Sequence, residues 1–298
     1  MKRYLRKRWR LILGVVLWVA LIVAILITWE GVRDDLIQAG LLFPVTVVLI
    51  VLALISGAMG WALLQPGRAR RRALVGFLAA QPAKYLPAGG AFQALGQVGL
   101  SSSDEADRST VGWSFLVHIG VEVVAGSLLS LLLLAGPDIE TWLNALLILL
   151  AVTGVVILRP AVIAPVTRML TRLIPRLPPV EKLPNTVTLW LSCGWTMGAL
   201  ALSGSAFVAL LGQWNDPIEG LATLGAFALA WLVGFVIFPL PSGLGAREVA
   251  LIALLPHLPP GQVLGASIIH RFASIVAEMI VLSIVSRQAF IQKQKSDQ

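Results

Sequence analysis

Charge is scarce in this sequence, cysteine nearly absent, and strict alternation of apolar with polar residues missing. Asp, Glu, Lys and Arg make up only 13% of 298 residues against 57% hydrophobic, and mean hydropathy is +0.86. That balance excludes a soluble globular domain. The single cysteine, Cys193, lies in an apolar segment, so no disulfide, zinc site or thiol pair can be built, and it reads as a packing residue. Without alternation a closed β-barrel is not expected. No nucleotide-binding loop, no metal-ligand spacing and no nucleophile beside a base occurs, so neither catalysis nor a cofactor or metal is expected.

What the chain has is long uncharged runs, each able to cross a hydrocarbon core of roughly 30 Å as a helix. The expected fold is all-α: one integral membrane domain over residues 1–298, a polytopic transmembrane bundle with 7 to 8 spans. Full spans are expected at 11–29, 41–64, 111–135, 142–158, 186–211, 220–238 and 262–285, with interrupted segments at 73–100 and 239–258. The net charge of +8 sits beside these runs, which is the positive-inside pattern and not a nucleic-acid groove. The basic N-terminus (1–10) precedes an apolar run too long for a cleaved signal and is expected in the cytoplasm of a cell whose inner membrane holds the chain.

Orientation follows from the loops. GRARRR (67–72) and the linker 159–185 are basic and expected inside; GVRDD, PDIET and WNDPIE are acidic. The order closes only if 73–100 enters and leaves on the cytoplasmic side. The basic tail, 286–298, prefers the cytoplasm only if 239–258 also returns the chain across, making eight crossings; otherwise the tail breaks the rule. Within the linker, Arg168, Arg172 and Arg176 at spacing four suggest an interfacial helix, with a Pro-broken solvated linker as the alternative. The tryptophans read as interfacial anchors, and GWTMG (194–198) as a helix contact.

Two halves, 11–135 and 186–285, resemble a degenerate repeat. In the first, Pro82, Pro87, Gly89 and Gly90 surround Lys84 and Tyr85; in the second, Pro239, Pro241, Gly243 and Gly245 precede Arg247 and Glu248. Non-helical backbone at membrane depth survives only where protein or a hydrated cavity covers it, and such breaks can aim helix N-termini at an anion. The following helices carry polar stripes: Ser114, His118, Glu122, Gly126 and Ser130 in one, Ser267, Arg271, Ser274 and Glu278, with His270, in the other. Facing lipid, Lys84, Glu122, Arg247, Glu248, Arg271 and Glu278 would cost on the order of 15 to 20 kcal/mol. They are expected to meet one another or a ligand: Lys84, Arg247 and Arg271 as phosphate or headgroup ligands, and Glu122, Glu248 and Glu278, with His118 and His270, balancing or gating them.

KYLPAGG and PSGLGAREVALIALL, followed by a helix with His270 and Arg271, resemble the two signatures of the lysylphosphatidylglycerol synthase transmembrane-region family. Lys84, Tyr85, Pro87, Gly89 and Gly90 match the first signature; Pro241, Gly243, Gly245, Arg247 and Glu248 match the second. Ala88 and Ser242 stand where glycine is usual. The resemblance implies a flippase-like domain standing alone, without the soluble acyltransferase domain, that moves or binds an anionic membrane lipid or lipid-linked headgroup. A non-catalytic partner of a glycosyltransferase or other lipid enzyme, and a proton-coupled small-solute transporter, are the alternatives.

Overall fold

The computed structural model describes residues 29–85, 89–103, 106–134, 141–173, 183–213, 216–236, 243 and 245–296. The expected first span, 11–29, lies almost wholly outside them, as do Pro87, Pro239 and Pro241. Ten α-helices carry the fold among the described residues: α1 (Trp29–Leu63), α2 (Arg70–Ala80), α3 (Gly89–Ser101), α4 (Arg108–Leu134), α5 (Thr141–Ile157), α6 (Pro160–Leu173), α7 (Thr186–Leu210), α8 (Pro217–Val236), α9 (Ala246–Leu254) and α10 (Pro260–Ser296). Five stretches, Leu41–Leu63, Arg108–Leu134, Thr186–Leu210, Pro217–Phe235 and Pro260–Arg287, are long and apolar enough to cross a membrane. A sixth exists if the pair Asn144–Ile157 and Pro160–Leu173, bent by 81°, counts as one. Large apolar side chains such as Leu41, Val48, Leu132, Leu149, Val187 and Phe272 point outward, as lipid-facing residues do and core residues of a soluble bundle do not.

The helix ends follow local chemistry. Helix α4 starts three residues before the expected span because Asp107 Oδ1 accepts the Thr110 N–H at 2.8 Å, an N-cap bond. The Thr110 side chain, with that N–H, holds the Asp107 carboxyl below its usual range. Asn185 caps α7 in the same way through Thr188 N–H. The basic linker is helical over Pro160–Leu173, with proline at the first position and Arg168 and Arg172 exposed beside Met169 and Leu173.

The first interrupted segment folds back on itself, and the second folds back on the helix before it. Helices α2 and α3 lie side by side: a Cβ on Gly76 would meet Ser101 N at 2.9 Å, and Arg72 Nε donates to Leu100 O at 3.2 Å. The two open ends of this hairpin are therefore at one end of the bundle. Helix α9 returns along α8 in the same sense, with Gly243 packed so tightly on Gly234 that a Cβ would lie 2.8 Å from its Cα. Gly243 and Gly245 also take φ of +67° and +83°, which glycine adopts without strain.

Helix packing in the first half recurs in the second. Helix α1 packs on α7 at the centre; α1 meets α10 as α7 meets α4, and α2 meets α10 as α8 meets α4. The central pair is joined by two hydroxyl-to-carbonyl bonds, Ser56 Oγ to Trp195 O and Ser192 Oγ to Gly60 O, both 2.7 Å. The helix contact expected of GWTMG is made through Thr196 and Gly198. Gly194 has open space around it, and the face that α1 meets is Ser192, Thr196 and Gly198.

Gly76→Val forces a branched side chain into the Ser101 backbone. We expect it to cost about 1–3 kcal/mol and to lower the midpoint of thermal unfolding in detergent, with Gly99→Val, which has open space, as the near-neutral comparison.

Candidate anion site between the two hairpins

Lys84 stands at the tip of the first hairpin, in the short 3₁₀ turn Gln81–Tyr85 that contains Pro82. Its Nζ lies 2.5 Å from Glu278 Oε1 on α10, and the Tyr85 hydroxyl donates to the same oxygen at 3.4 Å. Glu278 is fully enclosed, with 0% of its side chain exposed, while Lys84 retains 25%. A helix break from one half thus reaches a carboxylate from the other.

Glu248 has two tasks in the second hairpin. Its Oε2 accepts the Gly245 N–H at 2.8 Å, capping the first turn of α9, while Oε1 accepts Arg271 Nε at 2.8 Å and lies 2.7 Å from Nη2. The Nε bond and the short Nη2 contact share one carboxylate oxygen. Glu248, the third residue of α9, thus takes the Gly245 N–H at the break, while Gly245 itself offers no side chain to the first helical turn. Gly89 and Gly90 open α3.

Arg247 is placed differently from the other cations. Its guanidinium lies 4.2 Å over the Phe227 ring, a cation–π contact, and among the described residues no carboxylate lies within ion-pair distance of it. Glu248, Arg271, Tyr85 and Lys84 are its electrostatic neighbours. The structure therefore brings together Lys84, Arg247, Arg271, Glu248 and Glu278, and leaves Glu122 out. Glu122 faces His118, with Oε1 3.5 Å from Nδ1.

The two histidines occupy equivalent aromatic boxes. His118 sits edge-on to Trp61 and Phe77, at 5.4 and 6.1 Å between centroids; His270 sits edge-on to Phe227 and Phe207, at 5.2 and 6.2 Å. His270 Nε2 lies 3.1 Å from Ser203 O and 3.2 Å from its hydroxyl, so it braces α10 against α7. Of the serines in the expected stripes, Ser130, Ser267 and Ser274 bond back to carbonyls of their own helix, and Ser114 donates to Leu64 O at 3.4 Å. Trp61 is no interfacial anchor: it is fully buried and donates to Ser101 Oγ at 3.3 Å.

Phe227 and Tyr85's partner Glu278 show what sequence reasoning finds and misses. Glu278 stands out as an acid in an apolar helix, whereas Phe227 is one phenylalanine in an apolar run. The capping role of Glu248 had a signal, a glutamate three residues after glycine at a helix start. Among the described residues no three His, Cys, Asp or Glu side chains are grouped to hold a metal ion. Compared with known proteins, the chain matches no protein-family model and no curated protein.

Removing one partner of an enclosed pair strands the other charge. Glu278→Gln is expected to destabilise by about 3–5 kcal/mol, and the double variant Lys84→Met, Glu278→Leu by much less. Equal losses in the two, measured by denaturant or thermal unfolding in one detergent, would show that the pair is not what holds α10 to the first hairpin.

Proposed function

We propose that the chain is a non-enzymatic, multi-pass inner-membrane carrier of an anionic phospholipid or lipid-linked headgroup, with Lys84, Arg247 and Arg271 engaging the phosphate. The observation that carries this reading is the charge balance of the cluster between the hairpins. Three cations face two carboxylates, and Arg247 rests on a ring where a counter-ion would be expected. One excess positive charge in a low-dielectric interior favours a ligand of one negative charge, and a phosphodiester carries one. Glu248 and Glu278 hold the other two cations in place and gate them. The two signature motifs are compatible with a flippase-like domain of the lysylphosphatidylglycerol synthase kind.

The proposed topology supports alternating access. With 11–29 as an inward-anchored span and the basic loops inside, the first hairpin opens to the cytoplasm. Helix α8 crosses inward and the stretch to Leu254 returns outward, so α10 crosses inward as the eighth span and delivers the basic tail to the cytoplasm. The hairpins then approach the cluster from opposite faces, as inverted repeats do in secondary transporters.

Reconstituted in liposomes with fluorescent anionic, zwitterionic and aminoacylated lipids, the protein is expected to speed transbilayer movement of an anionic lipid. Arg247→Ala should slow it roughly ten-fold or more, the worth of a charged hydrogen bond. Equal rates with and without protein for every lipid would end this reading. The topology has its own check: in a Cys193→Ser background, Gln294→Cys should react with a membrane-impermeant maleimide only after the cytoplasmic face is opened. Labelling of intact cells would refute the eight-span arrangement.

A further inference from the structure

The anion cluster leaves one ionisable pair unused. Glu122 stands near the middle of α4 and His118 one turn before it, and the ring is 2% exposed. His118 Nδ1 faces Glu122 Oε1, while its Nε2 is buried and has no hydrogen-bond partner among the described residues. Buried polar nitrogens are rarely left so.

The surroundings offer no compensating charge. Helix α4 packs on α3, α5, α7 and α8, and the His118 ring also touches Trp61 of α1 and Phe77 of α2. The described charged side chains on these elements are Arg108 at the start of α4, Arg70, Arg71 and Arg72 at the start of α2, and Glu219 at the start of α8. All are exposed and none interacts with the pair. The remaining titratable group, Cys193 of α7, packs in the same apolar cluster as Val117 and Val121. A carboxylate with a neutral imidazole here would be a lone negative charge at membrane depth, which costs several kcal/mol. One added proton on the Glu122 carboxyl, facing His118 Nδ1, removes that charge.

The pair also sits between the arms of the two hairpins. His118 rests on Phe77, in the hairpin arm that leads to Lys84. One turn beyond Glu122, Gly126 admits Leu232 of α8 so closely that a Cβ would lie 2.8 Å from Leu232 Cγ, and α8 is the arm that carries Phe227 under Arg247.

We propose that His118 and Glu122 form a proton-binding site, separate from the anion cluster, whose occupancy biases the two hairpins and so couples carriage to a proton gradient. The coupling half rests on the carrier reading above; the proton site does not. Dyads of acid and histidine inside membranes serve this purpose, and linkage makes the bias reciprocal, so the anion in turn changes proton affinity.

Two measurements test it. In infrared difference spectra of the purified protein across a pH titration, a protonated-carboxyl stretch should fade as pH rises, be absent in Glu122→Gln, shift its midpoint in Glu122→Asp, and persist in Arg247→Ala. A Glu122→Gln spectrum that superimposes on the wild type would overturn the site. In liposomes, an imposed pH gradient should change the wild-type rate of anionic-lipid movement several-fold and leave Glu122→Gln indifferent; a wild-type rate blind to the gradient would overturn the coupling. A titrating band in protein that moves no lipid would uphold the proton site and remove the carrier reading.

Discussion

The ion pair between Lys84 and Glu278 is the contact on which the arrangement depends. In water such a pair is worth little; inside a span neither charge can stay without the other. Because the lysine comes from the first hairpin tip and the carboxylate from the last helix, the need to neutralise both ties one half of the chain to the other. It also fixes where the broken backbone can lie, since the turn at Gln81–Tyr85 must stay within a lysine's reach of α10. The same pressure acts on Glu248 and Arg271, whose short, two-point contact draws α9 onto α10.

Neutralisation in this interior is not uniform. Where a carboxylate can serve a backbone as well as a cation it does, as Glu248 does for Gly245 and Arg271 at once. Where it cannot, an aromatic face substitutes, as Phe227 does for Arg247. These are different strengths of tether. A guanidinium held by an Nε bond and a short Nη2 contact to an enclosed carboxylate keeps its place, while one lying over a ring has, among the described residues, no carboxylate on its donors. Positional rigidity and availability are thus divided between two arginines on neighbouring helices.

Apolar helices were legible because apolar length is a one-dimensional property: 41–64 matches the apolar stretch Leu41–Leu63 of α1, and 142–158 and 186–211 match α5 and α7, to within a residue. The fold-back of 73–100 was also readable, through the sign of the loops on either side. The face each helix presents was not. Spacing four places Ser114, His118 and Glu122 on one stripe, but a stripe has no direction until the neighbouring helices are set, and α4 turns Glu122 towards His118 and away from the cations. Small residues were ambiguous for a similar reason. Gly194 and Gly198 satisfy the contact spacing equally, and only the approach of Ser56 to Gly198 distinguishes them. Phe227 had no signal, because its value lies in what stands over it and not in its own chemistry.

The two serine-to-carbonyl bonds across the central helices have a mechanical meaning. They are reciprocal, each half giving one hydroxyl and receiving one, and they lie about a turn apart on α1. A rotation of one half against the other survives them only if its pivot passes close to both. Displacement in such a lever grows with distance from the fulcrum, so small angles at Ser56 and Ser192 become the largest excursions at the bundle's rim.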